Sequence, residues 1–233
     1  MFYRVGMAIA AGLAELGVRP ASALAGDSAG HAGSGALPVL SSLQELLPGG
    51  LRRGATVAVT ARGEGATSLL LALLAEPSRT GAWCAVTGMP ALSLATALSM
   101  GIVLERLALV PRPGPDTAAV AATLLDGFDI VVVAAPGLAP GVCAQLSARA
   151  RQGKATLVTM TPWAGASLTL TAEGGTWFGH RRLRCRRLTV TVGGRGGAAR
   201  PRRGEVWLPA DPDFQDTLAA GGRQDHRHLR AVR

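Results

Sequence analysis

Between Thr56 and Met160 the chain alternates short β-prone apolar runs with longer Ala- and Leu-rich segments, and this alternation limits the fold more than any other feature. The spacing predicts strands over 56–60, 83–87, 107–110, 130–135 and 156–160, separated by helices over 67–76, 90–100, 116–126 and 140–152. The run Ile130-Val131-Val132-Val133 is apolar at every position rather than every second one, as a strand buried on both faces must be. Repeated strand-helix units give a mainly parallel sheet with helices on both faces, so the expected class is α/β. Beyond Pro162 the period changes. Ser167–Thr171, Leu188–Val192 and Glu205–Leu208 read as antiparallel strands added at one edge.

The first strand leads into Thr60-Ala61-Arg62-Gly63-Glu64-Gly65-Ala66-Thr67, and then into Ser68-Leu69-Leu70-Leu71-Ala72-Leu73-Leu74. Strand, glycine turn and helix is the setting of the phosphate-binding motif G-x-x-x-x-G-K-[ST]. On that motif Gly65 takes the second glycine and Thr67 the magnesium-side hydroxyl, but Thr60 replaces the first glycine and Ala66 the lysine. Gly63, Gly65 and Thr67 are the candidate cofactor-binding residues of this degenerate loop. Their backbone amides suit an anion at a helix N-terminus. The missing ammonium forfeits a charged hydrogen bond of about 1.5–3 kcal/mol. Two further positions read as blank: Ala134 stands where an ATPase carries its metal-holding Asp, and the 83–87 strand ends without an acid to polarise water. The expectation is a noncatalytic chain with no cofactor; an atypical ATPase would have to use Arg62 and Thr67, with Glu64 as its water-activating acid.

Charge is unevenly placed. Of the net +9, residues 176–233 carry +8 and residues 1–175 only +1. Such a concentration favours nucleic acid or an acidic protein surface. Arg181, Arg182, Arg184, Arg186 and Arg187, extended by Arg200, Arg202 and Arg203, are the candidate DNA- or partner-binding residues. An extended strand would point Arg182, Arg184 and Arg186 to one face, able to track a phosphate backbone, and Leu183, Cys185 and Arg187 to the other. Trp177 and Phe178 lie beside this patch as candidate base-stacking platforms.

Cys84, Cys143 and Cys185 are odd in number and lack C-x-x-C spacing, so they read as reduced, buried thiols, and with the four His they form no metal-ligand pattern. No metal is expected. Glu15 and Arg19 interrupt the apolar run after Arg4, so a short amphipathic helix is expected there rather than a secretory signal. No run reaches ~18 uninterrupted apolar residues, so no membrane span is expected, and the reduced thiols make a cytoplasmic compartment the expectation. The organisation expected is an N-terminal helix and flexible linker over 1–36, a core over 37–210, and a disordered basic tail over 211–233.

The stretch Leu46-Leu47-Pro48-Gly49-Gly50-Leu51-Arg52-Arg53-Gly54 before the loop resembles the approach to the phosphate loop of the RecA-like P-loop core. With Leu107-Ala108-Leu109-Val110-Pro111-Arg112-Pro113 and Arg200-Pro201-Arg202-Arg203 leading to Trp207-Leu208-Pro209, the chain resembles the actinobacterial ImuA family, the accessory proteins encoded with ImuB and an error-prone DNA polymerase. The resemblance implies a role in the SOS response to DNA damage: a noncatalytic adaptor in translesion synthesis and mutagenesis. It implies ImuB and, through it, the polymerase as partners, with RecA and the DNA backbone as further contacts. A weak ATPase and a cap on RecA filaments are the alternatives the same residues leave open.

Overall fold

The computed structural model describes residues 35–179, 183–195, 200–209 and 230–232. The expected N-terminal helix, residues 181 and 182 of the basic run, and most of the tail lie outside these residues. The described chain begins with a short hairpin, β1 (Ala36–Leu37) paired antiparallel with β2 (Leu51–Arg52), enclosing the single-turn α1 (Ser41–Gln44). Ala36 therefore belongs to the hairpin and not to a linker. Then follow β3 (Thr56–Ala61), α2 (Ala66–Arg79), β4 (Cys84–Thr87), α3 (Leu94–Ser99), β5 (Leu107–Val110), α4 (Thr117–Leu125), β6 (Ile130–Val133), α5 (Pro140–Gly153) and β7 (Thr156–Thr159). The chain closes with β8 (Leu168–Gly179), β9 (Leu183–Gly194), β10 (Arg202–Leu208) and β11 (Arg230–Val232).

These strands form a nine-stranded sheet in the order β10-β9-β8-β3-β7-β6-β4-β5, with β11 paired to β8. From β8 to β5 every pairing is parallel; β9, β10 and β11 are antiparallel additions. The mainly parallel α/β sheet with antiparallel C-terminal strands is thus the observed class. The tail expected to be disordered contributes β11, whose Arg230, Ala231 and Val232 pair with Gly179, Phe178 and Trp177. Three residues suffice there because β8 outruns β3 and leaves its own hydrogen-bonding groups open at that end.

Side-chain alternation along the strands splits the core into two layers. Val57, Val59, Val86, Ile130, Val132 and Val158 face one side, with α2 and α1. Ala58, Val131, Val133 and Leu157 face the other, with Ala121 and Leu125 of α4 and Cys143, Leu146 and Ala150 of α5. Every residue from Leu69 to Ala75 is buried. A helix apolar all round must be covered all round, and α2 is enclosed by the sheet, the N-terminal hairpin and the inner face of β9 and β10. Each of its buried leucines contributes roughly 1.5–3 kcal/mol.

Candidate functional site

The loop from Arg62 to Gly65 joins the C-terminal end of β3 to α2, with Gly63 at φ 98° and Gly65 at φ 114°. Gly63 is exposed and Gly65 buried in the loop, and Thr67 is exposed in the first turn of α2. The loop rests on the two long strands. Arg62 donates its amide to Ala172 O of β8 at 2.8 Å, and the Thr60 and Thr171 hydroxyls meet at 3.0 Å. Gly65 requires a glycine twice over: its φ lies in the left-handed region, and a Cβ would come 2.8 Å from Leu188 Cδ2 and 3.2 Å from Ala172 Cβ.

No ammonium enters the loop; Ala66 occupies that place. Among the described residues, the buried guanidinium that reaches it comes from β9. Arg186 donates to Glu64 Oε2 at 3.1 Å, with its side chain 6% exposed against 84% for Glu64, and it lies 5.1 Å above the Trp177 ring. Its Nε is buried with no hydrogen-bond partner. The loop's own carboxylate thus takes the nearest buried cation, which leaves the first-turn amides of α2 as the donors available to an anion.

The strand ends where an ATPase places its acids are closed by backbone. Ala134 follows β6 and donates its amide to Thr87 O at 3.0 Å. Gly88, at φ 81°, follows β4, and a Cβ there would lie 2.3 Å from Ala134 O. The carboxylate next to β6 is Asp129, at the opposite end of the strand, where it receives Arg53 at 2.6 Å and the Trp83 amide at 2.8 Å. Among the described residues no three His, Cys, Asp or Glu side chains gather as a metal site.

The basic residues do not form one patch. Arg186 and Arg187 pair with Leu208 and Trp207 at the far end of the β9–β10 hairpin, whereas Arg202 pairs with Val192 near its turn. Six residues of strand separate them, roughly 20 Å. Arg186 is buried, contrary to the expectation that it lines a phosphate-tracking face: it shares the inward side of β9 with buried Leu188, Val190 and Val192. Arg187 is the outward residue, 3.7 Å from Glu205 and 5.7 Å from the Phe178 and Trp207 rings. Phe178 and Trp207 meet at 5.2 Å, so with Trp177 under Arg186 the expected base-stacking rings are engaged within the protein. Arg203 pairs with Glu173 at 2.9 Å. Arg181 and Arg182 lie outside the described residues, and the backbone of Arg184 lies on β9. Arg200 and Arg202 remain exposed, at the opposite end of the sheet from the loop. The sequence reading missed the Glu64–Arg186 contact, although counting back in twos from Val192 and Val190 places Arg186 inward.

The thiols share one electrostatic cause. Burial raises the pKa of Cys84, Cys143 and Cys185, that of Cys185 to about 11. For Cys84 the Asp129 charge adds to the effect of burial. None is poised as a nucleophile.

Among solved structures, the RadB recombinase is similar with a TM-score of 0.52 at 16% identity, covering 71% of this chain and 92% of that one. The fold is therefore RecA-like. The uncharacterized protein Rv3395c of Mycobacterium tuberculosis is 42% identical over 112 residues, 47% of this chain and 55% of that protein, so the chain spans about half the length of this curated relative. The family model described as the MT3502 N-terminal domain matches residues 45–165, just over half of the chain and the whole stretch from before the loop to beyond β7. By that match the chain belongs to the MT3502 N-terminal domain family.

Proposed function

We propose that the protein is a noncatalytic RecA-like adaptor in DNA-damage-induced translesion synthesis. It helps assemble a mutagenic polymerase complex in the cytoplasm by engaging ImuB and, through it, an error-prone DNA polymerase. RecA and the DNA backbone are further contacts. The observation that carries the noncatalytic part is the state of the loop: Ala66 in place of the lysine, with the buried guanidinium of Arg186 beside it held by Glu64. The closed ends of β4 and β6 support it, since an acid in place of Gly88 would meet the Ala134 carbonyl. The family resemblance of the sequence supplies the pathway, and the RecA-like frame is compatible with it.

The test is co-purification of the full chain with ImuB, together with mutation frequency after ultraviolet damage in cells deleted for the protein. The adaptor reading expects a stable complex and a deletion strain with markedly fewer induced mutations. Absence of the complex with unchanged mutagenesis would refute it.

A further inference from the structure

At the end of the sheet opposite the loop, the N-terminal hairpin and the turn end of β9–β10 enclose a groove of about 370 Å³, within the range of sites that take a ligand. Its floor is aliphatic: Leu46, Leu47, Leu51, Val57, Leu168 and Val192. Its rim carries four arginines, Arg52, Arg195, Arg200 and Arg202, all exposed. Among the described residues no Asp or Glu lines it, and none of the four pairs with a carboxylate. Elsewhere the described arginines commonly do pair: Arg53, Arg79, Arg149, Arg186, Arg187 and Arg203 each meet an acid. Four arginines without a carboxylate partner thus ring one apolar depression.

The groove is held in shape from below. Arg195 donates its amide to Ser167 O at 3.1 Å, Ser167 donates its amide and hydroxyl to Thr56 O at 2.9 and 2.8 Å, and Arg202 reaches Leu46 O at 3.5 Å. These bonds tie the ends of β9, β8 and β3 to one another and β10 to the hairpin.

We propose that this groove docks an acidic segment of a partner protein, which inserts an aliphatic side chain onto the leucine and valine floor while its carboxylates meet the arginine rim. Charge complementarity selects the occupant. Planar guanidinium forks suit carboxylates, and a floor without aromatic side chains offers no stacking platform for nucleic-acid bases. The site lies at the far end of β3 from the phosphate-like loop. It stands on its own geometry, whether or not the partner assembly is the one proposed above.

The experiment is fluorescence anisotropy of the full chain with a labelled peptide alternating leucine with aspartate, beside its lysine counterpart and a mixed-sequence single-stranded DNA. Two variants separate shape from charge. Gly49 lines the groove and a Cβ there meets nothing within 4 Å, so Gly49→Trp fills the mouth without a clash at its root. The double variant Arg195→Glu with Arg200→Glu reverses exposed rim charges and serves even where the tryptophan variant does not fold. Saturable binding of the acidic peptide is expected, falling as salt rises and weakened about tenfold or more by each variant. Failure of the acidic peptide to bind, binding unaltered by the folded variants, or displacement by the DNA in preference to the peptide would overturn the proposal.

Discussion

Replacing Arg186 by methionine separates a structural arginine from a DNA-binding one. The wild-type side chain is 6% exposed, holds one ion pair and leaves its Nε without a partner. Glu64 is 84% exposed, so the pair is screened by water and contributes about 0.2–1 kcal/mol. The contact with Trp177 adds about 0.5–1 kcal/mol, and a methionine sulfur over the same ring recovers about 0.3–1.5. Against these losses, methionine removes a buried unsatisfied donor that costs about 1–3 kcal/mol. Arg186→Met is therefore expected to lie within about 1 kcal/mol of the wild type or above it, whereas Arg186→Ala leaves a void and loses about 2–4 kcal/mol. Urea unfolding followed by circular dichroism reads both midpoints. The salt dependence of binding to single-stranded DNA should be unchanged in the methionine variant, because a buried guanidinium neutralises no phosphate. A methionine variant as unstable as the alanine one, or a salt slope reduced by about 0.7, would refute this account of Arg186.

Three other outcomes follow from the geometry. Gly88→Ala places a Cβ 2.3 Å from the Ala134 carbonyl oxygen at a left-handed φ, and is expected to lose about 2 kcal/mol or more in the same unfolding assay; near-wild-type stability would contradict the packing of β4 against β6. Asp129→Ala strands Arg53 and the Trp83 amide at a site where the carboxylate is 11% exposed, with an expected loss of about 3 kcal/mol by thermal or urea unfolding. Because burial raises all three thiol pKa values, the thiolate is suppressed at neutral pH and grows only as pH rises toward the shifted values. Native protein should thus react with Ellman's reagent at pH 7.5 slowly and only through unfolding, while fast labelling of any of the three would contradict their burial.

The strands and helices between Thr56 and Thr159 were legible because each is set by local pattern. The tetrapeptides of β4, β6 and β7 are buried throughout; the apolar run of β6 says so directly, while β4 and β7 also bury Thr87, Thr156 and Thr159. Boundaries followed chemistry the pattern does not carry. The helix expected over 90–100 starts only at Leu94, where Ser93 Oγ accepts the Thr96 amide at 3.2 Å, and α2 continues through Pro77 to Arg79. The loop's blank positions were readable residue by residue. Its partner Arg186 was not, because the alternation was counted from the arginine run rather than from Leu188 to Val192. Register shifts between Ala172 and Gly175, and again at Phe178, further complicate that part of the sheet. The arginine-rimmed groove was beyond reach of sequence, since its walls come from residues as far apart as Leu46 and Arg202.

The central claim is that this RecA-like frame carries a loop that does not turn over nucleotide. Calorimetric titration of the full chain with ATP and magnesium, beside a sensitive phosphate-release assay, tests it most directly. The account predicts no phosphate release above the buffer rate, with the Arg62→Ala variant indistinguishable from the wild type. Saturable binding with steady turnover that Arg62→Ala abolishes would contradict it.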